Sequence, residues 1–344
     1  MNVDETILDL KIGVVGAGSW GTALANLLAG KGYPIDWWVF EADVCEQIRA
    51  YRENRIFLPG VKLSRNLEAT NDLSAVVRDK DVVLIVVPSH VMRSVAESVA
   101  PHLLPTAIVV SASKGIENET LLTMSEVLKE ALEGFQDDRF SVLSGPSFAR
   151  EVVQNLPTVV TAASRNLDCA RSVQHIFATP FFRVYTHDDV IGVELGGSIK
   201  NVIAIAAGMI DGLGMGLNTR AALITRGMTE IRRLGVALGA NPRTFTGLAG
   251  MGDLVLTCTG SISRNHTVGF KIGQGMTLEE VLRDMRMVAE GIKTARSVYN
   301  LSLRSGVEMP ISQAIYQILY EGLSPKDAVY QLMTRDLKRE LDVD

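Results

Sequence analysis

Cysteine is scarce in this chain of 344 residues, and its three occurrences, Cys45, Cys169 and Cys258, lie far apart. An odd number with no CxxC pair excludes a disulfide framework and a zinc cluster, so we expect no metal and a reducing, cytoplasmic setting. Positive charge is not in excess either: 34 lysines and arginines face 39 aspartates and glutamates, a net charge of −5. That balance argues against nucleic acid or an anionic membrane as a partner, and an anionic substrate would need a local basic pocket. Uninterrupted apolar runs are short. Val82–Val87 is too brief to cross a bilayer, and Lys200 and Asp211 break the longer run near residue 205, so no membrane span is expected. The opening MNVDETILDLKIGVV is acidic where a signal peptide would be basic. Low-complexity linkers and 20–50-residue repeats are missing as well, so two domains should pack tightly with a cleft between them.

What the chain does have is 47 % hydrophobic against 21 % charged residues, enough for a substantial core. Strand-like runs occur at Lys11–Val15, Ile35–Phe40, Asp81–Val87, Ala107–Ser111, Ser141–Leu143, Val159–Ala163 and Phe182–Thr186. Helical spacing lies between most of them, as at Trp20–Leu28 and Leu121–Leu132. This alternation predicts an α/β domain with a mainly parallel sheet over residues 1–190. Beyond it the strand signal fades. Ile191–Ala207, Thr219–Leu238, Leu278–Met285, Ile292–Arg304, Ile311–Glu321 and Pro325–Glu340 read as helices, parted by Gly208–Gly216, Ala240–Pro242 and Gly247–Gly252. Residues 191–344 should therefore form an all-helical domain.

Gly16-Ala17-Gly18-Ser19-Trp20-Gly21 follows the first strand and opens the first helix. Placed there, GxGxxG is a dinucleotide-binding turn of the Rossmann-type, doubly wound sheet. Gly16 makes the turn, Gly18 lets backbone approach a pyrophosphate, and Gly21 lets helix pack on strand. Glu41 follows the second strand about twenty residues on, where an acidic side chain takes the ribose hydroxyls. A carboxylate there would repel a 2′-phosphate, which favours NAD over NADP unless Arg49, Arg52 or Arg55 compensates.

In the second half, Lys200 stands in the apolar run Gly192–Gly208, an expensive place for an ammonium without chemistry or a partner. On a helix it would share a face with Gly196, Gly197 and Ala204. Asp253 lies between glycines and an apolar run, and Arg264 and Asn265 supply a planar fork and an amide suited to phosphate oxygens. Taken singly, each has a bland reading as a snorkelling lysine, a helix cap or a surface arginine. Together with the nucleotide turn they point to a cleft for an anionic substrate.

The chain closely resembles the soluble NAD(P)-dependent glycerol-3-phosphate dehydrogenase family. The resemblance rests on GAGSWGTALA (16–25), FLPG (57–60), VVPSH (86–90), SASKGIE (111–117), LSGPSFARE (143–151), GVELGGSIKNVIAIAAGMIDGLGMGLNTRAAL (192–223), LAGMGDLVLTC (248–258), SRN (263–265) and VAEGIKTARSV (288–298). It implies interconversion of dihydroxyacetone phosphate and sn-glycerol 3-phosphate with NAD or NADP, supplying phospholipid synthesis. By resemblance Lys200 is the catalytic proton donor, with Lys114 and Asp253 in support. Gly145, Ser147, Asn201, Thr257, Ser263, Arg264 and Asn265 match substrate positions, together with Lys114 and Asp253. Ser19, Trp20, Ala149, Val288 and Glu290 match cofactor contacts, which Lys114 and Arg264 are also expected to reach. One departure bears on the cofactor: many bacterial members carry a basic residue where this chain has Phe40-Glu41. A 3-hydroxy-acid or ketoacid dehydrogenase would leave SRN and the SASKG loop unexplained, and a nucleotide sensor would not need Lys114, Lys200 and Asp253 together. A homodimer is the expected assembly, C2 pairs being the commonest.

Overall fold

The structure, a computed structural model, describes residues 10–283, 285 and 289–340. The first half runs β1 (Ile12–Val15), α1 (Ser19–Gly30), β2 (Ile35–Trp38), α2 (Ala42–Tyr51), β3 (Leu67–Thr70), α3 (Leu73–Val77), β4 (Val82–Ile85) and α4 (Met92–Val99). It continues through β5 (Ile108–Ser111), α5 (Met124–Ala131), β6 (Phe140–Ser144), α6 (Ala149–Val153), β7 (Thr158–Ala163), α7 (Leu167–Phe177) and β8 (Phe182–His187). The strands form one sheet in the order β3-β2-β1-β4-β5-β6-β7-β8, parallel throughout except between β6 and β7. Fully buried strands such as β1 and β4 explain their unbroken Val/Ile/Leu character, since both faces are covered by helices. The chain order reverses between β1 and β4, which opens a crevice at their carboxyl ends.

Eight strands form where seven runs stood out. β3 is short, and only Leu67 and Ala69 of its four residues are buried, so its alternation is too brief to register. Its free edge is closed by side chains: Arg49 Nε donates to the Ala69 carbonyl at 2.7 Å, and Arg52 Nη1 to that of Leu67 at 2.9 Å. Unpaired backbone at a sheet edge is thereby covered.

The second half contains α8 (Val190–Gly212), α9 (Gly216–Ala237), α10 (Asp253–Thr259), α11 (Arg264–Gly273), α12 (Leu278–Arg283), α13 (Glu290–Ser305), α14 (Pro310–Tyr320) and α15 (Pro325–Met333). The sequence pattern missed α10 and α11, and Gly247–Gly252 is less a separator than a π-helical turn over Leu248–Gly252 leading into α10. Two shorter helices differ from expectation. α5 begins three residues later than expected, after Leu121 with a left-handed φ of 63°, and α15 stops at Met333 instead of reaching Glu340.

α8 is the axis of this half, with 20 of its 23 residues buried. It is long and apolar enough to cross a membrane, yet 94 % of its most apolar stretch is buried inside the fold. Glycines let α11 lie directly on it. A Cβ at Gly208 would sit 2.0 Å from the His266 carbonyl oxygen, and one at Gly269 would sit 1.9 Å from that of Ile205. Gly212 and Gly273 repeat the arrangement one turn on.

Farther out, buried Glu230 on α9 accepts the backbone N–H groups of Ile311 and Ser312 at 2.6 and 3.0 Å, capping α14. Burial raises its carboxyl from 4.5 to about 7 against those hydrogen bonds. The folded protein therefore holds this proton where the unfolded chain has lost it, so Glu230 favours folding below about pH 4.5 and loses that contribution as pH rises through 7. Glu230→Gln removes this titration. The difference in unfolding free energy between wild type and the variant should move in the variant's favour from pH 5 to pH 8, as denaturant titrations would measure.

Candidate active site

The glycine turn lies at the carboxyl end of β1, in the crevice. Gly16 has φ 116°, and a Cβ there would stand 2.3 Å from the Val86 carbonyl oxygen, so a side chain is excluded. Gly21 is closed in the same way by the Gly16 carbonyl, whereas a Cβ at Gly18 would meet nothing within 4 Å. Space is thus left open at the residue facing the helix N-terminus. No side chain caps α1, so its first N–H groups remain available to an anion. The buried Trp20 Nε1 beside them has no hydrogen-bond partner. Open space, uncapped donors and an orphaned indole fit a dinucleotide here.

Buried Asn54 braces this turn, donating from Nδ2 to the Ala17 carbonyl and to Thr22 Oγ1, both at 2.9 Å. Ser19 Oγ donates to the Phe57 carbonyl at 2.6 Å. Glu41 is exposed at the N-terminus of α2 and makes no capping bond. The three arginines that could compensate it are engaged elsewhere. Arg49 and Arg52 close β3, and Arg55 lies 3.9 Å from the Tyr51 ring centroid and 3.4 Å from Glu53.

Across the crevice, one carboxylate joins both halves of the molecule. Asp253, 1 % exposed at the start of α10, pairs through Oδ1 with Lys200 of α8 and through Oδ2 with Lys114 Nζ at 2.6 Å. Lys200 also donates to Thr257 Oγ1 at 2.8 Å, and that hydroxyl donates to the Asp253 carbonyl at 2.6 Å. Lys114 reaches the Gly145 carbonyl at 3.3 Å. Its stem lies 3.7 Å from where a Gly197 Cβ would be, and Gly145 has φ 144° beside β7. Burial pulls the Lys200 ammonium down to about 8, with Asp253 opposing and Lys114 reinforcing that shift. Cys258, next along α10, is pushed up to about 12 by burial and stays a thiol.

The SRN segment lies beside this bridge. Ser263 Oγ caps α11 by accepting from the His266 N–H at 3.3 Å. Asn265 Nδ2 donates to Asn201 Oδ1 at 2.9 Å, and Asn265 Oδ1 accepts from the Gly291 N–H at 3.0 Å. Arg264 is lowered by burial, with Glu290 opposing the shift. Glu290 in turn accepts from Ser89 Oγ at 2.7 Å, linking the two halves again. Ser147 Oγ turns back to the Gly145 carbonyl at 3.0 Å, and half-buried Ala149 begins α6.

The structure thus brings Lys114, Gly145, Asn201, Asp253 and Thr257 around Lys200 and sets Arg264, Asn265 and Glu290 alongside. Gly16, Gly18, Ser19, Trp20 and Gly21 line the turn; Val288 lies outside the described residues. His90, in a short 3₁₀ turn, has its pKa lowered chiefly by burial. Sequence reading missed Asn54 and Ser89, which look like ordinary loop residues. It also missed Glu194, although a lone carboxylate in the same apolar run as Lys200 carries the same signal.

Comparisons agree with this geometry. Profiles of the NAD-dependent glycerol-3-phosphate dehydrogenase N-terminus and C-terminus match residues 11–170 and 189–330. Glycerol-3-phosphate dehydrogenase [NAD(P)+] of Geobacter metallireducens is 58 % identical over 330 residues, covering 96 % of this chain and 98 % of the relative. That of Syntrophobacter fumaroxidans is 56 % identical over 332 residues, with the same coverage of 96 % and 98 %. The crystal structure of glycerol-3-phosphate dehydrogenase from Coxiella burnetii superposes with a TM-score of 0.92 at 40 % identity, over 95 % of this chain and 100 % of that one. A ketopantoate reductase from Ralstonia eutropha shares the fold at 18 % identity and a TM-score of 0.60, covering 93 % and 100 %.

Because Asp253 holds the Lys200 ammonium up, Asp253→Asn should lower the Lys200 pKa further below about 8. A ¹⁵N NMR titration of the lysine side chains in wild type and variant would measure the shift. A Lys200 titration unchanged by the substitution would contradict the bridge.

Proposed function

Because the chain belongs to the NAD-dependent glycerol-3-phosphate dehydrogenase family, we propose that this cleft interconverts dihydroxyacetone phosphate and sn-glycerol 3-phosphate. The observation that carries the reading is the bridge of two ammoniums on one buried carboxylate, facing a nucleotide turn across the crevice. NAD(H) or NADP(H), when bound, supplies or accepts the hydride. Gly16, Gly18, Ser19, Trp20 and Gly21 would hold the cofactor at the turn, with Ala149, Val288, Glu290, Lys114 and Arg264 nearer the reacting end.

Lys200 is the proton donor. Its ammonium stabilises charge gathering on the carbonyl oxygen and then delivers a proton to it. Asp253 keeps Lys200 charged in a buried place, Thr257 orients the amine, and Lys114 adds a second positive charge on the more open side. Arg264 and Asn265 grip the substrate phosphate, with Ser263 fixing the turn that carries them and Asn201 fixing Asn265. Gly145 and Ser147 shape the opposite wall. We take residues 1–190 as the dinucleotide domain and 191–344 as the helical substrate domain. A cytoplasmic homodimer supplying phospholipid synthesis completes the proposal.

The test compares NADH oxidation with dihydroxyacetone phosphate, oxaloacetate and acetoacetyl-CoA; only the first should support turnover. Arg264→Ala should lower kcat/KM for dihydroxyacetone phosphate while leaving the already poor rate on unphosphorylated dihydroxyacetone unchanged, since that substrate offers no phosphate to grip. An equal fractional loss on both would assign Arg264 to structure or cofactor. For the cofactor, Glu41 favours NAD, and the engaged arginines leave that carboxylate uncompensated. NADH should serve at least as well as NADPH, and Glu41→Arg should shift the kcat/KM ratio toward NADPH.

A further inference from the structure

We propose that Glu194 is a positioning residue for the reaction above: from the helix that carries Lys200 it pins the hairpin that carries Lys114, and so sets the two ammoniums against Asp253. The inference rests on the proposed reduction for its kinetic consequence, but its geometry stands apart from it. Lys114 is not on a regular element. It opens a hairpin closed by the Ile116–Thr123 bridge and by a hydrogen bond from the Glu117 N–H to the Leu122 carbonyl at 2.9 Å. Two residues before Ile116 stands Lys114, and two residues after Thr123 stands Ser125, so the bridge ties the positions of Lys114 and Ser125 to each other. Ser125 is where Glu194 attaches. Its carboxylate accepts the Ser125 N–H at 2.8 Å and the Ser125 hydroxyl at 2.6 Å. One helical turn on, Ser198 Oγ lies 3.2 Å from the Gly115 carbonyl oxygen and donates to the Glu194 carbonyl at 2.7 Å. Glu194, Gly197, Ser198 and Lys200 thus belong to one short stretch of α8 laid along the hairpin.

The far side of the hairpin is held independently. Arg93 of α4 makes a two-pronged contact with Glu117, through Nε at 3.0 Å and Nη2 at 2.7 Å, and Arg304 of α13 donates to the Thr120 carbonyl at 3.0 Å. These contacts fix the tip. Glu194 is the side-chain anchor between α8 and the hairpin's returning limb. It is 5 % exposed, and a carboxylate so buried is costly unless its hydrogen bonds do something that an apolar residue could not. Burial is the main cause raising it to about 7, with Ser125 and Thr123 opposing and Glu126 of α5 adding to the rise. Around Lys200 the facing groups are Asp253, Thr257 and Cys258 of α10 and Lys114 of the hairpin. Among them Lys114 pulls the Lys200 pKa down, so a hairpin released from Glu194 should let that pKa rise.

The test uses Ser125→Ala, which removes one hydroxyl in the nucleotide half without changing charge, beside Glu194→Gln and the double variant. With dihydroxyacetone phosphate and NADH, each single variant should lose about tenfold in kcat, as misplaced catalytic groups do, while NADH affinity stays within about twofold of wild type. The alkaline limb of the kcat–pH profile and the ¹⁵N titration of Lys200 should both move to higher pH. The double variant should be no worse than Glu194→Gln, because both substitutions break one contact. Folded single variants with wild-type kcat and an unmoved Lys200 titration would overturn the proposal. So would a lowered melting temperature with no pH shift, which is all that a merely structural contact gives. The NMR titration needs no turnover, so failure of the substrate assignment would appear as an inactive wild type and leave this test readable.

Discussion

Asp253 has two oxygens, and each holds an ammonium that comes from a different part of the chain. That single carboxylate is the constraint around which the cleft is organised. Removing one partner from a buried ion pair costs roughly 3–5 kcal/mol, because the remaining charge is stranded without water. Here the balance is deliberately uneven: two positive charges share one negative. The surplus is tolerable only where Thr257 and the Gly145 carbonyl take up the remaining donors and where Lys114 keeps some contact with solvent. A surplus of buried positive charge is a standing preference for an anion, and it falls where an oxyanion would develop.

Holding three charged groups in that relation requires backbone to approach backbone closely. α11 can present Arg264 and Asn265 beside Asn201 only because Gly208, Gly212, Gly269 and Gly273 let its axis lie on α8. The π-helical turn before Asp253 has a related cause. A Cβ at Gly250 would stand 2.2 Å from the Phe245 carbonyl oxygen, so the chain there is too crowded for side chains. Local irregularity of this kind is common where a helix must aim a functional group. The glycine-rich composition around the site is thus the price of bringing charges together in a dry place.

Those same glycines explain what the sequence conveyed and what it withheld. The parallel sheet, the nucleotide turn and the long helix under Lys200 follow from periodicity and from a turn motif placed between strand and helix. Lys200 and Asp253 stand out because charge is anomalous in apolar surroundings. α10 and α11 did not stand out, since their glycines and short length weaken helical periodicity; in α11 it is packing, not propensity, that forms the helix. β3 has four residues and one covered edge, too little alternation to read. Asn54 and Ser89 act through single hydrogen bonds to distant residues, and a polar residue in a loop carries no mark of such a partner.

The electrostatics of the two halves also complement each other. The nucleotide half offers an uncapped helix N-terminus and, at Glu41, one exposed carboxylate with no arginine turned toward it. Attraction for a pyrophosphate and repulsion of an extra ribose phosphate therefore come from separate features about twenty residues apart in sequence. The helical half offers the surplus ammonium and a desolvated guanidinium, both attractive to anions and both within a protein of net charge −5. Because the surrounding surface is mildly acidic, attraction for a phosphate-bearing substrate is confined to the cleft. Selectivity among small ketones then depends on whether a molecule can place an anionic group at Arg264 and a carbonyl oxygen at Lys200 together. A carboxylate of different reach satisfies one of these positions and leaves the other desolvated and unpartnered, and that penalty, more than any gain in contact, separates this site from other dehydrogenases that share its sheet.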